Sequence, residues 1–188
     1  MSRPHLLRFM ISVAAAMALL AAASPARAEA SAADIDRDAD AALAKLYREV
    51  PSAKTLAAKA KGILVFPSVI KGGLIVGGQY GDGALRKGGE TVGYYNTAAV
   101  SYGLQAGAQS FGYVLLFMSN SALKYLEESD GWEIGVGPSV VVLDEGAATT
   151  LTTTTAQDDI YAFIFGQKGL MAGLGLHGSK ITRIHPGN

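Results

Sequence analysis

Hydrophobic positions between residues 31 and 60 recur with the spacing of an α-helix. Apolar side chains return every three or four residues, while acidic and basic side chains fall on the other faces. The apolar stripe consists of Ile35, Ala39, Ala42, Leu43, Leu46, Tyr47 and Val50. Asp34 is predicted to cap this helix and Pro51 to end it. A second, shorter helix is expected to begin after Ser52 and to end at Gly62.

From Gly62 onward the pattern changes to short apolar or alternating runs separated by glycine, which is typical of β-strands. Residues 102–109 alternate most clearly, with apolar side chains on one face and only glycine and glutamine on the other. Such a face favours close approach of another backbone or strong curvature of the sheet. One short helix is expected after Ser119 or Asn120. The predicted strands are 63–66, 74–80, 90–95, 102–109, 114–118, 132–143, 151–155, 160–165, 170–176 and 180–184, with turns at 81–83 and 87–89.

The first 28 residues have the pattern of a secretory signal peptide. A basic start precedes a run of apolar or small residues from Phe9 to Ala23, and Ala26–Ala28 fits the site that signal peptidase cuts. The run has 15 residues, whereas a helix that spans a membrane needs about 20. We therefore expect residues 1–28 to be cleaved, and residues 29–188 to leave the cytoplasm as the mature protein.

Composition narrows the function classes. The precursor has 16 basic and 16 acidic residues, but the signal peptide contains three of the basic ones, which leaves the mature chain at −3. A mildly acidic chain of this kind is not expected to bind nucleic acid. The sequence contains no cysteine, which excludes disulfides, thiolate metal sites and a thiol nucleophile.

Three short motifs that resemble catalytic or binding sites lack the context that their chemistry needs. Gly173–Gly178 fits G-x-G-x-x-G, but an alternating segment follows it where dinucleotide binding requires a helix. Ser110 lies near two glycines at a spacing that does not fit a nucleophile elbow. The acidic residues within 34–40 lack the glycine and glutamate of a calcium loop. We therefore expect no catalytic residues, no metal site and no cofactor.

Four lysines are the candidate binding residues. They lie on and after the predicted second helix, beside apolar side chains: Lys54, Lys59, Lys61 and Lys71. Each charge near an anionic lipid headgroup contributes about 1 kcal/mol of attraction. A solvated helix face is the alternative interpretation of the same residues. If they act together, the result is a weak, salt-sensitive association with a membrane.

Several motifs of the chain, taken in order, resemble those of the SYLF domain family. The matching segments are Lys61–Pro67 (KGILVFP), Lys71–Gly73, Gly77–Gly83, Gly103–Gln109, Asn120–Leu123, Val136–Pro138, Ile160–Tyr161 and Gly166–Gly173. The resemblance spans about residues 35–184, nearly all of the expected mature chain.

The resemblance implies binding to phospholipid or to a membrane surface. Eukaryotic members resemble phosphoinositide-binding modules, and some bind actin, but the export signal makes this chain look like a stand-alone bacterial periplasmic member. Actin is therefore not an expected partner. The resemblance places Lys54, Lys59, Lys61 and Lys71 in the region that corresponds to the lipid-binding surface.

Together these observations predict a single α+β domain over residues 29–188. Its N-terminal helices pack on a strongly curved, mostly antiparallel, glycine-rich sheet. The expected function is non-enzymatic binding of anionic phospholipid by a periplasmic or secreted protein, peripheral to a membrane. Two alternatives stay open: a periplasmic structural or stress protein that acts through protein contacts, and a small outer-membrane β-barrel.

Overall fold

The computed structural model describes residues 30–73, 76–102, 107–143, 157–169 and 176–187. Three helices are present among these residues: α1 (Ala32–Glu49), α2 (Pro51–Ala57) and α3 (Asn120–Glu128). The strands are β1 (Gly62–Gly73), β2 (Val76–Lys87), β3 (Glu90–Tyr102), β4 (Gly107–Phe117), β5 (Trp132–Glu133), β6 (Val140–Leu143), β7 (Ile160–Gly169) and β8 (Lys180–Ile184).

All eight strands form one strongly curled sheet in the order β5-β8-β3-β2-β1-β4-β7-β6. Every pairing is antiparallel except the one between β6 and β7. The predicted fold class, helices on a curved and mostly antiparallel sheet, is confirmed.

Apolar side chains cover both faces of the sheet. Alternate residues of β4 show this division: Tyr113 and Leu115 belong to one core, whereas Val114 and Leu116 belong to the other. The apolar stripe of α1, together with α2, packs on the second face, which we call the outer face. Helix α3 and Trp132 pack on the opposite, inner face. A strand that is buried on both sides explains the nearly continuous apolar run of β4.

Two β-bulges lie on either side of β4 and change which side chains face outward. Phe66 of β1 pairs with Tyr113 of β4, and Val69 pairs with Phe111, so β1 has one residue more than β4 between these two pairs. In the same way, Phe165 of β7 pairs with Gly112 and Lys168 pairs with Ser110, so β7 also has one residue more than β4. Because side chains alternate along a strand, one extra residue moves every later side chain to the other face. Ile70 and Lys168 therefore point outward.

Several predicted boundaries are wrong, and the reasons are local. Ser31, rather than Asp34, caps α1, because its hydroxyl accepts the Asp34 backbone N–H. Helix α2 ends at Ala57, and Gly62 instead begins β1. The first strand passes through Pro67 at the bulge rather than stopping before it.

The predicted turn at 81–83 lies inside β2. Its glycines permit close approach: a Cβ on Gly81 would come 2.6 Å from the Ser68 carbonyl oxygen, and one on Gly83 would overlap the Val65 carbonyl oxygen. The predicted strand 132–143 consists of the two short strands β5 and β6. The turn at 87–89 and the helix capped by Ser119 are confirmed.

Some predictions fall on residues that are not described. The signal peptide 1–28, the strand 151–155 and all of the strand 170–176 except its last residue lie outside the described residues. The predicted single strand 102–109 is wrong, because Tyr102 ends β3 and Gly107 begins β4. Most of its alternating glycine face, residues 103–106, is not described. Gly107 is described and has open space around a built Cβ, but its φ of +144° favours glycine.

Candidate functional site

Four of the large apolar side chains that are exposed to solvent share one region of the outer face. Their exposed fractions are 45% for Ile70, 55% for Val76, 49% for Tyr80 and 66% for Val100. Ile70 of β1 pairs with Tyr80 of β2. Val100 of β3 pairs with Gly78, which lies two residues before Tyr80 in β2 and faces the same side. We call these four residues the outer apolar patch. Ile70 and Tyr80 line a cleft beside the first turns of α1.

An open cleft of about 600 Å³ separates the start of α1 from this part of the sheet. Ala30, Ile35 and Asp38 form the helix side, and Ile70 and Tyr80 belong to the sheet side. Its floor contains two glycines, Gly72 and Gly78, where a Cβ would meet no atom closer than 3.8 Å. The absence of side chains at these two glycines therefore makes the cleft deeper, and neither glycine is needed for close contact between strands.

A second cleft of about 350 Å³ adjoins the first, and both are lined by Asp38, Pro67 and Ser68. It carries two lysines from different elements, Lys45 of α1 and Lys168 of β7. Together the two clefts place cationic groups next to an exposed apolar surface. That arrangement is chemically suited to an amphiphile with an anionic head.

The charges around the second cleft are only partly paired. The Lys45 ammonium lies 3.9 Å from Glu49, at the limit of an ion pair. Lys168 is exposed and forms no salt bridge with any described residue. The carboxylate of Asp38 is 3.1 Å from the Arg37 guanidinium. The acidic side chain shared by the two clefts therefore shares its counter-charge with Asp34, which lies 2.7 Å from the same guanidinium.

A polar network holds α1 in place above the sheet. Asp36 accepts hydrogen bonds from Thr91 at 2.6 Å and from Tyr94 at 2.9 Å. Arg86, whose side chain is only 12% exposed, lies 2.8 Å from Asp40 and 3.4 Å from Asp36. Burial, and secondly the Asp36 carboxylate, raise the pKa of Tyr94. These contacts attach α1 to β2 and β3, and the helix forms one wall of the cleft.

The four predicted lysines do not form one cluster. Lys54, Lys59 and Lys61 are exposed on α2 and the segment that leads to β1. Lys71 lies ten residues further along, toward the other end of β1, a backbone separation of about 30 Å at roughly 3.3 Å per residue. It is partly buried, and it pairs with Gln79 and Gln109, whose side chains are buried.

Sequence reasoning missed the outer apolar patch and the two lysines of the second cleft. Tyr80 and Lys168 have only glycine and polar neighbours, and Ile70 lies between Val69 and Lys71, so no periodicity marks them. Their common location depends on strand pairing and on the two bulges. Gly166, which directly follows the apolar run 160–165, is the local signal in the sequence, because a glycine within a strand often marks a bulge; its φ in the structure is +64°.

Neither a metal site nor a spanning helix is found in the parts of the chain that are described. No three His, Asp or Glu side chains there are close enough together to hold an ion. None of the described helices is both long and apolar enough to cross a membrane.

Comparison with known proteins identifies one family. The family model described as "Ysc84: Las17-binding protein actin regulator" matches residues 98–188. No curated protein matches the chain. The matched range contains Val100 and Lys168, while α1, β1 and β2 precede it. The match confirms the resemblance to the SYLF family that the motifs predicted.

Proposed function

We propose that this chain, whose residues 98–188 match the family model, is an exported, non-enzymatic protein that binds phospholipid at a membrane surface. The outer apolar patch is the observation that carries the proposal. Four large side chains that are about half exposed lie together on one face, whereas singly scattered apolar residues would need no explanation.

The patch contributes more to the expected affinity than the lysines do. Full burial of a large apolar side chain contributes about 1.5–3 kcal/mol, so completing the burial of a half-exposed one contributes about 1 kcal/mol. Four such side chains give about 4 kcal/mol in total, and each nearby lysine adds about 1 kcal/mol on an anionic membrane. The expected association is peripheral and reversible.

Liposome co-sedimentation with paired variants tests this proposal. Ile70→Ser combined with Tyr80→Ser removes the centre of the patch and should weaken binding about 30-fold, the equivalent of ~2 kcal/mol. Val92→Ser combined with Val136→Ser is the matched control, because both residues are similarly exposed but lie outside the patch.

Circular dichroism and the melting temperature should be the same for both double variants, because all four side chains are at the surface. Equal binding by the two variants would show that the patch is not the membrane-binding surface. Replacing Lys54, Lys59, Lys61 and Lys71 with glutamine tests the earlier lysine prediction in the same assay, and we expect a smaller loss than for the patch variant.

Export is the second half of the proposal and rests on the pattern of residues 1–28. Cleavage after Ala28 would leave Ser31, and with it the N-cap of α1, in the mature chain. N-terminal sequencing of the protein from a periplasmic fraction should give Glu29-Ala30-Ser31. Recovery of an intact Met1 from washed membranes would contradict it. Since an exported chain does not meet the cytoplasm, we do not propose actin as a partner.

A further inference from the structure

We propose that Lys45 and Lys168 bind the phosphodiester of an anionic lipid whose acyl chain lies on the outer apolar patch. This inference rests on the proposed membrane binding and adds to it the two side chains that bind the anionic headgroup. The preference for anionic lipids is assigned to Lys45 and Lys168, which lie far apart in sequence and on different elements, rather than to Lys54, Lys59, Lys61 and Lys71.

The bulge in β7 places Lys168 at this site. Regular alternation over the three residue steps from Phe165 would direct Lys168 to the inner face, and the bulge returns it to the outer face. Gly166 adopts a φ of +64°, and a Cβ built on it would lie 2.7 Å from the Lys45 ammonium. The ammonium of Lys45 therefore lies directly over the bulge that turns Lys168 outward.

The distance between the two lysines and the patch fits a single lipid molecule. One cross-strand row contains Lys168, Ser110, Ile70 and Tyr80. Neighbouring strands are about 4.8 Å apart, so the backbones of Lys168 and Ile70 are about 10 Å apart. A lysine side chain is long and flexible enough to shorten that gap. A phosphate at the lysines and an acyl chain over Ile70 are therefore compatible with one glycerophospholipid.

The local charge favours an anion at the lysine end of the site. Lys168 has no ion pair among the described residues, and Lys45 has a long one to Glu49. Asp38 opposes the lysines and is partly offset by Arg37, which lies 3.1 Å from it and 2.7 Å from Asp34. Asp82, the other carboxylate of the combined site, lines the first cleft and not the second. An anionic head is therefore expected at Lys45 and Lys168, away from Asp82.

Binding to two kinds of vesicle tests this assignment. Vesicles of phosphatidylcholine alone report on the patch, and vesicles that also contain phosphatidylglycerol report on headgroup charge. Lys45→Gln with Lys168→Gln should lose about 30-fold in affinity for the anionic vesicles, at about 1 kcal/mol per charge. The same variant should bind phosphatidylcholine vesicles as the parent does.

Control variants separate this site from a general charge effect. Lys54→Gln with Lys59→Gln removes the same net charge from exposed positions outside both clefts and should retain the preference for anionic vesicles. Lys168→Arg combined with Lys45→Arg should restore the preference, because the cationic charge is kept. An equal loss in both glutamine pairs would overturn the assignment.

The failures of the two proposals are distinguishable. If the parent protein binds neither kind of vesicle, the proposed function fails. If it binds both, but the Lys45 and Lys168 variant retains the anionic preference, only this inference fails. Inorganic phosphate at millimolar concentration should not displace the protein from anionic vesicles, and displacement would show that the lysines bind free phosphate instead of a lipid headgroup.

Discussion

At the scale of single residues, the glycines of β2 have two opposite roles. Gly83 lies where a side chain would overlap the Val65 carbonyl oxygen and press on the Phe66 ring. Gly78 lies on the cleft floor, where a Cβ would be 3.8 Å from the nearest atom. Neither has a positive φ, so the difference between them is one of space rather than of backbone conformation.

Alanine substitution at these two glycines should therefore have opposite effects on stability. We expect Gly83→Ala to lower the free energy of unfolding by about 1–3 kcal/mol through overpacking. Gly78→Ala should be neutral or slightly stabilising, because alanine reduces the entropy of the unfolded chain. Urea unfolding of both variants measures the difference, and similar values for the two would show that β1 shifts to make room at Gly83.

The candidate lysines show how far residue-level reasoning extends. Sequence alone found lysines beside apolar residues, which is a local property, and grouped Lys54, Lys59 and Lys61 with Lys71. It could not show that Lys71 lies toward the far end of β1. Nor could it show that Lys45 and Lys168, 123 positions apart, line one cleft.

At the scale of elements, the periodicity of apolar residues predicted the features that depend only on neighbours along the chain. The helical stripe of α1 and the alternation in the strands follow from burial on one face, so both were recognisable. The bulges were not predictable, because a bulge is defined by a partner strand. Pro67 illustrates this: in sequence it resembles the end of a strand, whereas in the sheet it lies in a bulge, where the absent N–H is tolerated.

At the scale of the whole molecule, one sheet carries a core on each face, and both contain buried or partly buried tyrosines. The pKa values of Tyr47, Tyr94, Tyr95 and Tyr113 are all raised, and burial is the first cause in each case. The shift is largest for Tyr113, which is fully buried and packs against Phe66 with ring centroids 4.7 Å apart. Because of these tyrosines, the free energy of unfolding is expected to depend on pH under alkaline conditions.

The sign follows from proton linkage. Above pH 10 the unfolded chain loses its tyrosine protons while the folded protein keeps them, so the free energy of unfolding falls as the pH rises. Below pH 10 the tyrosines make their full contribution to the free energy of unfolding. Above pH 10, Tyr113 alone should lower that free energy by about 1.4 kcal/mol per pH unit. Urea unfolding at pH 8, 10 and 11 measures this slope. Tyr113→Phe should reduce it, because phenylalanine has no proton to lose, whereas Tyr125→Phe alters an exposed tyrosine and should leave it unchanged. A parent protein as stable at pH 11 as at pH 8 would mean that the core opens readily enough for its tyrosines to ionise without unfolding.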